Sequence, residues 1–151
     1  MHEALNRISI RATPEQIMAL AFDLPAWPKF LPHYRWVAVL AQDGERATVE
    51  MACWRSFGPL RWPLKWRSHL WVDHERRRMR FHHIGGPARG MDVEWLLRPD
   101  GDRVEVSIRH DLSLEVPLVR TALGKWIVAE IFVRAVAGRT LACLKEAVEA
   151  A

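Results

Sequence analysis

From residue 34 to residue 114 the chain alternates between apolar and polar residues in one segment after another. Such alternation is typical of a β-strand with one buried face and one solvated face. Turn signals such as Asp43-Gly44 and Asp100-Gly101 separate the segments, so consecutive strands are expected to pair as antiparallel hairpins. The predicted strands are residues 34–41, 46–57, 61–72, 78–84, 91–97 and 104–114.

The segments on either side of these strands are of a different kind. Residues 5–11 predict a first strand, and Thr13-Pro14-Glu15-Gln16 predicts a helix start with a capping box and proline at the first helical position. Three prolines limit residues 24–32 to a short helical turn or a loop. Residues 118–150 predict one long helix, interrupted by Gly138, with a mostly apolar stripe of Leu123, Ile127, Glu130, Ile131, Ala137, Leu141, Leu144 and Val148.

These elements predict an α+β fold. A curved antiparallel sheet of about seven strands wraps around the long C-terminal helix, and two short helices follow the first strand. A chain of 151 residues is expected to form a single domain over residues 1–151. Because one face of the sheet is apolar, the gap between sheet and helix must hold large side chains or a ligand.

The chain contains eight tryptophans. Each indole offers an apolar face and one N–H donor, so we interpret the set as walls around a cavity for a flat, apolar molecule. The alternative interpretation is a filled core. Trp62, Trp66, Trp71 and Trp95 lie in predicted strands, and Trp27, Trp36, Trp54 and Trp126 lie beside or opposite them.

Composition excludes several classes of protein. The net charge is +4, which permits an anionic membrane surface or nucleic acid as a partner, but only Arg76-Arg77-Arg78 with Arg80 forms a cluster. That cluster is typical of a solvated hairpin turn, so nucleic acid is not expected.

No apolar run is long enough to span a bilayer and no signal pattern begins the chain, so we expect a cytoplasmic protein with free thiols at Cys53 and Cys143.

Cofactor motifs are absent from the sequence. There is no phosphate-binding glycine loop, dinucleotide fingerprint or nucleophile elbow. His82 and His83 are adjacent on a strand, so their side chains point to opposite faces and cannot chelate one metal ion. We therefore expect neither a metal nor a cofactor.

The order of elements and several strings resemble the START-like (SRPBCC) helix-grip superfamily, which shares the Bet v 1-like fold, and within it the polyketide cyclase/dehydrase group. The strings are residues 12–17 (ATPEQI), 23–34 (DLPAWPKFLPHY), 66–69 (WRSH), 86–95 (GPARGMDVEW) and 138–149 (GRTLACLKEAVE). The resemblance covers nearly the whole chain. It implies a deep pocket between sheet and C-terminal helix that holds a hydrophobic small molecule.

Aromatase/cyclases of this group close poly-β-ketones and remove water, and the resemblance implies pocket roles for Tyr34, Trp66, Ser68 and Trp95. One departure stands out. Where such enzymes carry an inward arginine two residues beyond the serine, this chain has Leu70, and His83 stands where a comparable enzyme has another arginine. The acid/base arrangement of those enzymes is therefore not carried over intact.

Period-two counting assigns the inward-facing candidates on the strands, and the resemblance implies Tyr34. We predict His83 as general acid or base and Tyr34 as a hydrogen-bond donor to a carbonyl, against the alternatives of a satisfied strand histidine and a rim tyrosine. The Arg55 side chain either takes the role of the missing arginine or extends from the pocket mouth into solvent. Glu130 either pairs with His83 or Arg55 or lies at the helix edge. The predicted ligand-binding residues are Trp27, Phe30, Met51, Arg55, Trp66, Ser68, Leu70, Phe81, Met91, Trp95, His110, Ile127, Glu130 and Ile131.

Two classes of function follow. The first is a polyketide cyclase/dehydratase, or aromatase, and the second is a carrier that binds a quinone of the coenzyme Q type or a lipid without changing it. The expected partner is a hydrophobic small molecule, whether polyketide, quinone or lipid. The sequence leaves a homodimer open.

Overall fold

The computed structural model describes residues 3–57, 59–112 and 121–150. Seven strands form one sheet in the order β1-β7-β6-β5-β4-β3-β2, and every neighbouring pair is antiparallel. The predicted strand residues 113 and 114 and helix residues 118–120 lie outside the described residues. The strands are β1 Glu3–Ile10, β2 Tyr34–Asp43, β3 Arg46–Phe57, β4 Leu60–Asp73, β5 Arg78–Gly85, β6 Asp92–Asp100 and β7 Arg103–Asp111.

Hairpin connections join β2 through β7 in chain order, as the turn signals predicted. Gly44 and Gly101 adopt positive φ angles of 62° and 64° in two of these turns, a conformation that glycine reaches without a steric penalty. Strand β1 then pairs with β7 rather than with its neighbour in sequence. The first strand and the last strand of the chain are therefore adjacent in the sheet.

Two short helices follow β1, as predicted. The α1 helix spans Pro14–Ala21 and has the complete capping box, since Gln16 N donates to Thr13 Oγ1 and Thr13 N donates to Gln16 Oε1. A 3₁₀ helix at Leu24–Lys29 contains two prolines and buries Trp27. These elements close one end of the sheet.

The C-terminal helix consists of three continuous segments: α2 Ala122–Val128, a π-helix Ala129–Ala137 and α3 Gly138–Glu149. It packs on the sheet at β1 and β3, which gives the predicted helix-grip arrangement. Glu149 accepts a hydrogen bond from the Arg11 backbone N–H, and Lys145 donates one to the Ser9 carbonyl. The two ends of the described chain are thus tied together.

The predicted apolar stripe of this helix is correct from Ala137 onwards and partly wrong before it. Leu123 and Ile127 are 67% and 43% exposed, so neither faces the sheet, whereas Ile131 is partly buried against the core. A π-helix needs more residues per turn than an α-helix, so the α-helical repeat does not continue through Ala129–Ala137. The buried positions include Gly124, Val128, Phe132, Val133, Val136, Ala137, Thr140, Leu141, Leu144 and Val148.

Several tryptophans do not wall a cavity, in contrast to the prediction. Trp62 and Trp126 are 64% and 62% exposed. Trp71 lies on the outer face of the sheet, where the Arg80 guanidinium is 5.7 Å from its ring centroid. Leu5 of β1 is also exposed, since Ile8 and Ile10 carry the inward face there. The inner face is completed by other aromatic residues.

Candidate functional site

The space between the sheet and the C-terminal helix contains a cavity of about 40 Å³. That volume holds a few water molecules and is far below the roughly 300–1,000 Å³ of a typical ligand pocket. The expected deep pocket is therefore mostly filled by side chains in this conformation. The lining residues come from six strands, the 3₁₀ helix and the C-terminal helix: Trp27, Tyr34, Met51, Trp66, Phe81, His83, Met91, Val93, Trp95, Ile108, His110, Phe132, Val136, Ala137 and Thr140.

Aromatic rings form most of the wall. Trp27 packs between Tyr34 and Trp95, with ring centroids 5.2 and 5.5 Å away, and its indole N–H donates to the Ala21 carbonyl. Phe132, from the π-helix, packs edge-on against Trp66 at 5.2 Å. Such edge-to-face pairs stabilise beyond their buried area by about 0.5–1.5 kcal/mol. The helix thus closes the cavity with the ring of Phe132.

His83 lies on β5 beside its cross-strand partner Ser68 on β4. Its Nδ1 and the Ser68 hydroxyl are hydrogen-bonded at 2.5 Å, and both side chains are buried. Burial, followed by the nearby His110 and His82, lowers the pKa of His83 from 6.5 to about 3. The imidazole is therefore neutral at pH 7.

Two further polar atoms border the cavity without a partner. The indole Nε1 of Trp66 and the Nδ1 of His110 are buried and make no hydrogen bond within the described residues. Burial also lowers the pKa of His110 to about 4. An unsatisfied buried polar group costs about 1–3 kcal/mol, so both atoms favour a polar partner in the cavity.

The C-terminal helix contributes one polar side chain to the cavity lining, that of Thr140. Thr140 donates its hydroxyl to the Val136 carbonyl at 2.8 Å, and its Oγ1 lies 3.0 Å from His33 Nε2. Burial is the main cause that raises the pKa of Tyr34 above its ordinary value, although a hydrogen bond with Thr140 acts in the opposite direction. Tyr34 therefore keeps its phenolic proton and can donate it in a hydrogen bond.

The cavity brings together nine of the sixteen predicted site residues. Both predicted catalytic residues, His83 and Tyr34, are among them. The other seven are Trp27, Met51, Trp66, Phe81, Met91, Trp95 and His110.

The remaining predicted residues do not line the cavity. Ser68 and Leu70 are buried on β4, and Ser68 acts only through its bond to His83. Phe30 and Ile131 are partly buried against the core, and Arg55 is half-buried on β3. The helix positions need correction: Ile127 faces solvent, and the structure pairs Glu130 with Arg134 at 3.3 Å rather than with His83 or Arg55.

Sequence reasoning missed six lining residues. Val93 and Ile108 have the same inward parity as Trp95 and His110, so alternation was a sufficient signal for both. The other four follow the spacing of the π-helix and its junction, which an α-helical pattern does not show: Phe132, Val136, Ala137 and Thr140.

Within the described ranges, no three His, Cys, Asp or Glu side chains are grouped closely enough to hold a metal ion. The helices of the same ranges include none that is both long and apolar enough to cross a membrane.

A cavity enclosed by a curved sheet and a long C-terminal helix defines a helix-grip protein of the START-like class. The chain belongs to the family described as polyketide cyclase / dehydrase and lipid transport, which matches residues 1–149. A sequence relative is the granaticin polyketide synthase bifunctional cyclase/dehydratase of Streptomyces violaceoruber, 31% identical over 118 residues, or 76% of this chain. The chain spans about a third, 35%, of that relative's length.

Solved structures show the same fold. The Zhui aromatase/cyclase from Streptomyces sp. R1128 superposes with a TM-score of 0.81 at 16% identity, covering 97% of this chain and 93% of that chain. A START superfamily protein from Mycobacterium smegmatis gives a TM-score of 0.75 at 15% identity, covering 99% of both chains. Family and fold together support a role in binding a hydrophobic ligand.

Proposed function

We propose that the chain binds a neutral, largely aromatic compound with carbonyl or phenol oxygens and acts on it as a polyketide cyclase/dehydratase. The observation that carries the proposal is the pair of unpartnered buried atoms, Trp66 Nε1 and His110 Nδ1, in an otherwise aromatic cavity. A ligand oxygen that accepts from Trp66 would remove one of the two penalties. A charged ligand would pay a large desolvation penalty in this cavity, so a neutral one is favoured.

Ring closure requires removal of a proton from the carbon next to a carbonyl, together with polarisation of a carbonyl oxygen. Tyr34 supports the second task, because its raised pKa keeps the hydroxyl protonated and a substrate oxygen can replace Thr140 as the acceptor of that proton. His83 supports the first, provided that its Nδ1 carries the proton and donates to the Ser68 oxygen. The Nε2 lone pair is then free to accept the substrate proton.

The low pKa of His83 limits how this base can work. An imidazolium in the buried site is unfavourable by itself. The enolate that forms in the same step carries the opposite charge, and a nearby opposite charge raises the pKa of the imidazole. His83 would therefore accept a proton only while the substrate anion lies beside it. The same imidazolium can return that proton to the alkoxide oxygen formed by ring closure, which becomes a hydroxyl. His83 then removes a second proton from the same carbon and delivers it to the hydroxyl, which leaves as water as the C=C double bond forms.

A second candidate is a carrier that binds a quinone or lipid and leaves it unchanged. The pKa of about 3 for His83 favours it, because so weak a base is poorly matched to proton transfer at neutral pH. The buried Leu70 favours it too, since it occupies the position where the resemblance implies an orienting arginine. Both candidate functions use the same cavity, but only the enzyme converts its ligand into a product.

The deciding test is the His83→Ala variant with heptane-2,4,6-trione, which gives orcinol when its ring closes with loss of one water. For an enzyme we expect turnover to fall at least about a hundredfold, the usual minimum contribution of a general base, while binding changes much less. His82→Ala is the matched control, because the His82 side chain pairs with Asp92 on the outer face at 2.7 Å.

The carrier hypothesis predicts a different result in this test. A wild-type protein that releases no orcinol but binds a short-chain ubiquinone would support the carrier and contradict the cyclase. Parallel loss of binding and turnover in His83→Ala would also contradict a catalytic role for His83, because a base acts mainly on the chemical step.

A further inference from the structure

Large apolar side chains are exposed at the start of strand β4. Leu60 and Trp62 are 71% and 64% exposed, although most large apolar residues of the chain are buried. Arg61 lies between them, and Lys65 follows as another exposed base. We call these four residues, Leu60, Arg61, Trp62 and Lys65, the basic tip. Adjacent exposed apolar residues of this size mark an interaction surface more often than single ones do.

The charge around the basic tip has one sign. Residues 51–72 contain no Asp or Glu, and they contain four Lys or Arg. Glu50, just outside this range, pairs with Arg67 at 3.1 Å. The Arg61 guanidinium stacks over the Trp54 ring at 4.5 Å, which holds the side chain in place without cancelling its charge. The tip therefore complements an anionic partner.

We propose that the basic tip docks on an anionic lipid surface, with Leu60 and Trp62 inserted at the interface. Tryptophan is enriched at membrane–water interfaces because its ring is apolar and its N–H is polar. Lysine and arginine beside such residues add attraction to anionic headgroups. The combination of two apolar side chains and two bases within six residues fits this chemistry.

Two other partners fit less well. Single-stranded nucleic acid needs a series of open ring faces for base stacking. On the adjoining outer face, however, the Arg35 guanidinium lies 4.6 Å from the Trp36 centroid and 4.7 Å from that of Trp54. A symmetric contact between two copies of this chain through the tip would bring like charges together, which is unfavourable.

Co-sedimentation of the full chain with lipid vesicles tests the proposal. We expect binding to phosphatidylcholine vesicles that contain about a third phosphatidylglycerol, and little binding to phosphatidylcholine alone. The double variant L60S/W62S should bind at least about tenfold more weakly, since each large apolar side chain contributes more than a tenfold factor when buried. R61Q and K65Q should each weaken binding about fivefold and reduce its salt sensitivity.

Matched controls lie elsewhere on the sheet. Leu5 is 52% exposed on β1, at the opposite edge, and Arg98 is exposed on β6, so L5S and R98Q should bind vesicles as the wild type does. Failure of the wild type to bind anionic vesicles would overturn the proposal. Equal losses in tip and control variants would also overturn it, as would tip-dependent binding of single-stranded RNA or dimerisation without vesicle binding. None of these outcomes depends on the cavity ligand.

Discussion

Three buried histidines of the described chain have lowered pKa values. Burial is the main cause that lowers the pKa of His33 and His110 to about 4 and that of His83 to about 3. Arg139 also lowers the pKa of His33. His110 and His82 also lower the pKa of His83. In the unfolded chain each histidine returns to about 6.5. Folding therefore displaces protons from these side chains in mildly acidic solution.

Stability should consequently fall as the pH is lowered from about 6.5 towards 4. In this window the unfolded chain binds more protons than the folded chain, so protonation favours unfolding. Each such histidine adds up to about 1.4 kcal/mol per pH unit to the slope of unfolding free energy. The measurement is urea denaturation across this pH range.

A variant separates this contribution from general acid effects. His110→Gln removes one titrating group and should reduce the slope by about one proton relative to the wild type. A slope equal to that of the wild type would show that His110 is not displaced from its ordinary titration by folding.

Individual side-chain directions were predictable where the strands are regular. Alternation placed Met79, Phe81 and His83 on the inner face, and all three are buried. It could not give the direction of Tyr34, because the pairing of β2 with β3 shifts between Tyr34 and Trp36. After a β-bulge the parity changes, and Tyr34 and Val37 are both buried although they are three residues apart. The pKa values depend on burial depth, which period-two counting does not contain.

At the scale of elements, the π-helix decides which side chains reach the cavity. Phe132 is 3% exposed and lies against the sheet, with its ring centroid 5.2 Å from Trp66 and 6.2 Å from His83. A ligand much larger than a few water molecules must displace lining side chains such as this ring. Wide helical turns are frequent at functional sites, and this one lies where the helix covers the cavity.

Replacing Phe132 by alanine should therefore enlarge the cavity. We expect a loss of about 3–5 kcal/mol in unfolding free energy, typical of a buried phenylalanine, together with tighter or faster binding of dibenzoylmethane as a bulky aromatic diketone. Denaturant titration and stopped-flow fluorescence measure the two effects.

The control for this variant lies on the same helix. Ile127→Ala removes an exposed side chain and should alter neither stability nor dibenzoylmethane binding by much. If Phe132→Ala loses stability but binds the diketone more weakly and more slowly, the ring is part of the binding surface and does not obstruct it.

The helix also shows where a sequence pattern stops being informative. Leu141, Leu144 and Val148 were predicted correctly because α3 has the ordinary repeat. Upstream the same repeat was continued to Ile127 and Leu123, although the structure changes to a π-helix between Ala129 and Ala137. No single residue type specifies that change, so Phe132 could not be identified from spacing alone.

For the whole molecule, the strand order, the two short helices and the C-terminal helix were all predictable from alternation, turn residues and capping. The size of the cavity was not. A curved sheet with large aromatic residues is compatible with an open pocket or a filled one, and the choice depends on how rings such as Trp27, Trp66 and Trp95 pack. Here they leave about 40 Å³.

Ligand binding should therefore be visible as added stability of the whole domain. A compound that binds only the folded chain stabilises it by about 2.7 kcal/mol at a hundred times its Kd. We expect native mass spectrometry of the purified protein, followed by solvent extraction, to reveal a co-purifying hydrophobic compound whose removal lowers the Tm. If removal of the bound compound left the Tm unchanged, that compound would not be a ligand of the folded state.

The pairing of β1 with β7 has a consequence for the order in which a newly made chain can fold. On the ribosome, β1 emerges before the other described strands, yet its partner strand Arg103–Asp111 comes about a hundred residues later. The helix residues bonded to Arg11 and Ser9 lie 138 and 136 residues further along the chain. The hairpins from β2 to β7 can pair as they appear, whereas β1 must wait for its partner until β7 has been synthesised.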